Sequence, residues 1–87
     1  MITINGYKQV SYPDFQLALH KASANSGKSP LQIAADLDLG TVETARNAFK
    51  PKQKVSDKVL TGIMKSVGLS GFVIWVFGKK YYYIKNK

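Results

Sequence analysis

Hydrophobic positions change period along the chain, and the changes mark the elements. Phe15, Ala18, Leu19 and Ala22 recur at i, i+3, i+4 and i+7, the stripe of an amphipathic helix over Ser11 to Asn25. Pro13 suits its first turn, Asp14 complements the positive helix end, and Asn25-Ser26-Gly27 ends it. Ser29-Pro30 reads as a cap followed by proline at the first helical position, so a second helix starts there. Leu31, Ile33, Ala34 and Leu37 are expected to fill its apolar side. Asp38-Leu39-Gly40 form a turn, and Thr41 caps a third helix running to about Phe49, with Val42, Ala45 and Phe49 apolar and Ala48 beside them. Pro51 stops it. Ser56 caps a fourth helix, in which Val59, Leu60, Ile63, Met64 and Val67 make a broad apolar face and Gly68 ends the run. Ahead of the helices, Ile2-Thr3-Ile4 precedes Asn5-Gly6, a turn signal. It favours one short strand over a small hairpin.

The tail switches to period two. Phe72 to Phe77 is β-branched and aromatic, Gly78-Lys79 reads as a two-residue turn, and Lys80 to Lys85 is the return strand. That turn pairs Val76 with Tyr81, Trp75 with Tyr82 and Ile74 with Tyr83. One face then holds Ile74, Val76, Tyr81 and Tyr83, and the other Val73, Trp75, Tyr82 and Ile84. Both are apolar. Helices can cover one, so a second copy is expected to cover the other, with Val73, Trp75, Tyr82 and Ile84 assigned to that dimer contact. The chain is expected to fold as one mainly α domain over 1–87 with a C-terminal β-hairpin (α+β) at about 72–85. The N-terminal strand is a candidate to join that hairpin.

Composition narrows the function classes. The 87 residues include 13 Lys/Arg against 5 Asp/Glu, a formal net charge of +8. The five acids all lie at or before Asp57, and the residues after it carry six lysines and no acid. Such a surface seeks polyanions. No cysteine is present, which excludes disulfides and thiolate sites, and a single histidine with scattered acids makes no conventional metal site. No cofactor and no small-molecule substrate is expected. His20 lies off the apolar stripe and reads as a surface or boundary residue. Gly27-Lys28-Ser29 lacks the upstream glycine of a phosphate loop. The longest apolar run, Phe72 to Phe77, is too short to span a bilayer, and the first residues lack a signal-peptide pattern, so a cytoplasmic protein that is not an enzyme is expected.

Two short helices, a three-residue turn and a following basic loop have the layout of a helix-turn-helix at about 30–49. The second helix of such a pair must stand clear of the core to enter a groove about 12 Å wide. Ala34 and Ala45 are small enough to let the two axes approach. From Ser29 to Leu69 the chain resembles the Cro and lambda-repressor-like (XRE) helix-turn-helix family. The resemblance is carried by Leu31-Gln32-Ile33-Ala34-Ala35-Asp36-Leu37, a turn, and Thr41 to Phe49. Val55-Ser56 to Ile63 and Val67-Gly68-Leu69 look like that family's closing helix, and the hairpin resembles its dimer-forming strand extension. The chain departs from the pattern at Asp38, where glycine is usual, and at Thr44 and Asn47, where apolar residues are usual. Val42, Ala45 and Ala48 imply a rotated third helix or a turn of altered length.

The resemblance implies a four-helix DNA-binding domain of a bacterial or phage transcriptional regulator, a repressor of Cro type, acting as a dimer on duplex DNA. Gln32 matches the glutamine that braces phosphate and recognition helix. Thr41, Thr44, Arg46 and Asn47 fall in the recognition stretch, with Asn47 and Thr44 expected to read base edges and Thr41 and Gln32 to bond phosphates. Lys28, Arg46, Lys50, Lys52 and Lys54 supply charge. Glu43 either accepts from cytosine N4 or pairs with Arg46 or Lys50. Two other readings stay open. Trp75, Tyr81, Tyr82 and Tyr83 interleaved with Lys79, Lys80 and Lys85 would suit an RNA or single-strand stacking platform. An antitoxin-type interaction module would keep the DNA face and add a binding segment.

Overall fold

The computed structural model describes residues 3–4, 6–50 and 55–85. Its elements run β1 (Thr3–Ile4), β2 (Tyr7–Val10), α1 (Tyr12–Ser26), α2 (Pro30–Asp36), α3 (Val42–Asn47), α4 (Asp57–Val67), β3 (Gly71–Val76) and β4 (Lys79–Lys85). The fold is α+β: four helices and one antiparallel sheet in the order β1-β2-β4-β3. β1 is only two residues long, so β2 and the C-terminal hairpin carry the sheet. The N-terminal segment joins the C-terminal hairpin, but against the expectation of one short strand it forms a small hairpin of its own, with Ile4 opposite Tyr7 and Gly6 at φ 86, and it is the second strand, β2, that pairs with β4.

Local chemistry sets the helix ends. Ser11, Ser29 and Ser56 each accept a backbone N–H in the first turn, from Asp14, Gln32 and Val59. Gly27 and Gly68 close α1 and α4 in the left-handed region, at φ 71 and 79. Phe15 and Leu19 of α1, Ile33 and Ala34 of α2, Ala45 of α3 with Ala48 just after it, and Leu60, Ile63, Met64 and Val67 of α4 form one buried cluster. Val10, Val73, Tyr82 and Ile84 bring the sheet against it. Leu31 departs from expectation and stands 69% exposed. It lies two residues from fully buried Ile33, about 200° around the helix, so the two cannot share a face.

The hairpin turn also departs from expectation. Val76 pairs with Lys79, so Phe77-Gly78, not Gly78-Lys79, form the loop, and both are left-handed at φ 50 and 77. Trp75 faces Lys80, Ile74 faces Tyr81 and Val73 faces Tyr82. The shift is two residues of pairing, so the membership of each face is unchanged. What changes is the role of the faces. Val73, Tyr82 and Ile84, assigned from the sequence to a dimer contact, pack on this chain's own helices, and the Tyr82 ring lies 4.7 Å from that of Phe15. The outer face instead carries Tyr7, Phe72, Ile74, Tyr81 and Tyr83. Phe72 stacks on Tyr83 at 5.0 Å, and Tyr7 meets Phe72 edge-on.

Asp57 at the start of α4 joins the hairpin to the helices. Its carboxylate pairs with Lys80 at 2.8 Å and accepts the indole N–H of Trp75. The Lys80 ammonium, then the Trp75 indole, hold the Asp57 carboxyl below its ordinary value of 3.8. A depressed carboxyl contributes stability that is complete above 3.8 and lost as pH falls through the lower folded value. Asp57→Asn is therefore expected to flatten the acid side of the stability profile below about pH 4, in urea unfolding followed by Trp75 fluorescence. Gly71 sits where a Cβ would meet Met64 Cε at 2.9 Å and the Tyr83 carbonyl closer still. Gly71→Ala is expected to cost about 1–3 kcal/mol in the same assay.

Candidate nucleic-acid interface

α2 and α3 are joined by a turn that needs two left-handed residues, Asp38 at φ 53 and Gly40 at φ 78. The Leu39 N–H donates to the Ala34 carbonyl at 3.0 Å, folding the chain back over the end of α2. Thr41 then caps α3, its hydroxyl accepting the Glu43 N–H at 3.3 Å. α3 ends at Asn47, two residues before the expected Phe49, and continues as tight i→i+3 turns to Lys50.

The seat of α3 is two alanines: Ala45 is fully buried and Ala48 nearly so. The Asp38–Gly40 turn fixes where α3 starts and so which of its positions are buried. Thr44 and Asn47 become half-buried flanks, while Thr41, Glu43, Arg46 and Lys50 stand outermost. The outward face is thus centred on Glu43, Arg46 and Lys50, with Thr44 and Asn47 at its edges rather than at its centre.

α1 holds the far end of α3 through two side chains that the sequence reading did not assign to the site. Gln16 Nε2 donates to the Ala48 carbonyl at 3.2 Å, and His20 Nε2 meets the Phe49 carbonyl at 3.1 Å. A carbonyl only accepts, so that imidazole nitrogen carries its proton. The His20 and Phe49 rings also meet edge-on at 5.4 Å. The only signal in the sequence is that the two lie four residues apart on one flank of α1, beside the apolar stripe.

The charged residues are already partnered. Glu43 pairs with Lys50 at 3.1 Å and with Arg46 at 3.9 Å, all three about half exposed. Exposed pairs of this kind contribute about 0–1 kcal/mol, so a phosphate can displace the Glu43 carboxylate. Lys28 and Gln32 also have partners within the chain. Lys28 Nζ donates to the Ser66 carbonyl at 2.8 Å and pairs with Asp36 at 3.0 Å, and Gln32 Nε2 donates to Asp36 at 2.8 Å. Those contacts, Gln32 first and Lys28 second, hold the Asp36 carboxyl below its ordinary value. They tie α2 to α4. Lys52 and Lys54 lie outside the described residues. Among the described residues no three His, Cys, Asp or Glu side chains group as metal ligands, and no helix is long and apolar enough to cross a membrane.

Comparison of the chain with protein-family models, curated proteins and solved structures gives no match. The α1 clamp can be tested by itself. Gln16→Ala leaves the Ala48 carbonyl without its donor, so a loss of about 1–3 kcal/mol is expected in urea unfolding, with faster amide exchange confined to residues near the end of α3.

Proposed function

We propose that the outward face of α3 enters the major groove of duplex DNA, and that the chain is a sequence-specific DNA-binding transcriptional regulator. One observation carries this reading. A short helix seated on two alanines, with the turn that follows it, presents Glu43, Arg46 and Lys50 to solvent with Asn47 half-buried beside them, in a chain of net charge +8.

The roles follow from donor and acceptor chemistry. Asn47 can bond adenine through both atoms of its amide, and Arg46 can fork onto guanine or onto a phosphate. Thr41 and Lys50 bond the backbone. Glu43 lets go of Lys50 on binding, and its carboxylate then accepts from cytosine N4 or repels a misplaced phosphate. The dimer expected from the sequence would form across the outer sheet face of Phe72, Ile74 and Tyr81, with Val73, Tyr82 and Ile84 remaining under the helices. Two copies would span half-sites about one helical turn, ~34 Å, apart.

A second reading has one observation in its favour. Tyr7, Phe72 and Tyr81 share the outer sheet face with Lys79 and Lys85, which is a composition suited to stacking a single strand. Fluorescence anisotropy separates the two readings. Labelled duplex and a single strand of equal length are titrated over a salt series. The DNA-regulator reading expects duplex to be preferred, with a steep log–log salt slope of about −0.9 per phosphate contact. Arg46→Ala is expected to weaken duplex binding and reduce that slope by about one unit, and Asn47→Ala to weaken a selected site more than random duplex. Preference for the single strand would move the site to the sheet.

A further inference from the structure

The tip of the C-terminal hairpin has features that folding does not explain. Phe77 is fully exposed at 103%, next to Trp75 at 59% and Val76 at 41%. Phe77 also takes the left-handed conformation, φ 50, as the first of two such residues in the loop. A turn with both central residues left-handed is met at least cost by Asn-Gly, and a bulky aromatic there is a conformational outlier. The chain therefore accepts backbone strain at a side chain that buries nothing.

The tip is also firmly held. Trp75 and Lys80, opposite each other across the hairpin, both contact Asp57 in the first turn of α4, and the Lys80 ammonium lies over the Trp75 and Tyr82 rings at 5.7 and 5.5 Å. Asp57 is the last acid in the chain, and Lys80 and Trp75 engage both its oxygens. What remains outward is an exposed phenyl ring beside exposed Lys79 and Gly78, with exposed Lys58 following Asp57. The prong is cationic and ends in an apolar ring. That complements a polyanion with an apolar interior, and α4, which anchors it, is the next helix after α3.

We propose that the hairpin tip is a second duplex-DNA contact, separate from α3, in which Phe77 wedges against or between base steps in the minor groove and Lys79 bonds a flanking phosphate. Apolar wedges on basic scaffolds act in this way, opening a step and bending the duplex toward more protein contact. The proposal rests on the duplex reading of α3 given above.

Phe77→Asn is the informative variant because it installs the Asn-Gly turn that the loop geometry favours. It is expected to melt at the wild-type temperature or a few degrees higher, while binding duplex roughly tenfold more weakly with an unchanged salt slope. Lys79→Ala is expected to weaken binding and to lower the slope by about one unit. Duplex binding by Phe77→Asn equal to wild type, with Arg46→Ala impaired, overturns the tip contact and leaves α3 standing. No duplex binding by the wild-type chain at low salt overturns both. Loss of binding to phosphatidylserine-containing vesicles in Phe77→Asn, with duplex affinity intact, makes the tip a membrane element and overturns the proposal. A change of sedimentation state in Phe77→Asn with duplex affinity intact does the same in favour of a second copy.

Discussion

The seating of α3 on Ala45 and Ala48 is the constraint on which the rest depends. A helix of six residues has no stability of its own, since nucleation outweighs so few hydrogen bonds. Its orientation is set from outside. The two alanines enter the cluster around Phe15, Leu19 and Ile33, the Asp38–Gly40 turn fixes where the helix begins, and Gln16 and His20 hold the carbonyls where it ends. Larger side chains at the two alanine positions would lift the helix and rotate its outward face. Smallness at the seat and length on the outside are two aspects of one arrangement.

Three of the acids sit at points of architecture. Asp36 gathers Lys28, Gln32 and Ser66, and so links the start of α2 to α4. Asp57 gathers Trp75 and Lys80, and so links the hairpin to α4. Glu43 lies on α3 between Lys50 and Arg46. Each local pair contributes little at an exposed site, and with 13 Lys/Arg against 5 Asp/Glu the chain as a whole stays strongly cationic. Glu43 is the acid on α3, so under the proposed function it is the group that a bound duplex would displace or read.

Local signals were legible in the sequence and long-range ones were not. Ser29, Thr41 and Ser56 act as caps, and Gly27 and Gly68 as stops, because capping is decided within a few residues. The α+β class followed from the change of period; the N-terminal strand was only a candidate to join the hairpin, and the strand that does so is Tyr7–Val10, after the Asn5-Gly6 turn signal. The hairpin register did not follow, because Phe77-Gly78 and Gly78-Lys79 are both acceptable loops by composition, and only the fold shows that a phenylalanine takes the left-handed position. Leu31 was placed inward by its hydrophobicity, although a helix turns it away from Ile33. The face of α3 depends on a turn through two left-handed residues, Asp38 and Gly40, which residue types alone did not fix. Gln16 and His20 act across separations of 32 and 29 residues, which no local pattern encodes. The two faces of the hairpin were correctly composed, but which one the helices cover was settled by contacts such as Phe15 on Tyr82.

Whether α3 is the groove-entering element is tested most directly by backbone amide shifts recorded while unlabelled duplex is titrated into isotope-labelled protein. Perturbations concentrated on Thr41 to Lys50 and on the N-terminus of α2, with the outer sheet face unaffected, are the predicted result. Perturbations concentrated on Tyr7, Phe72 and Tyr81 with α3 unaffected would contradict it.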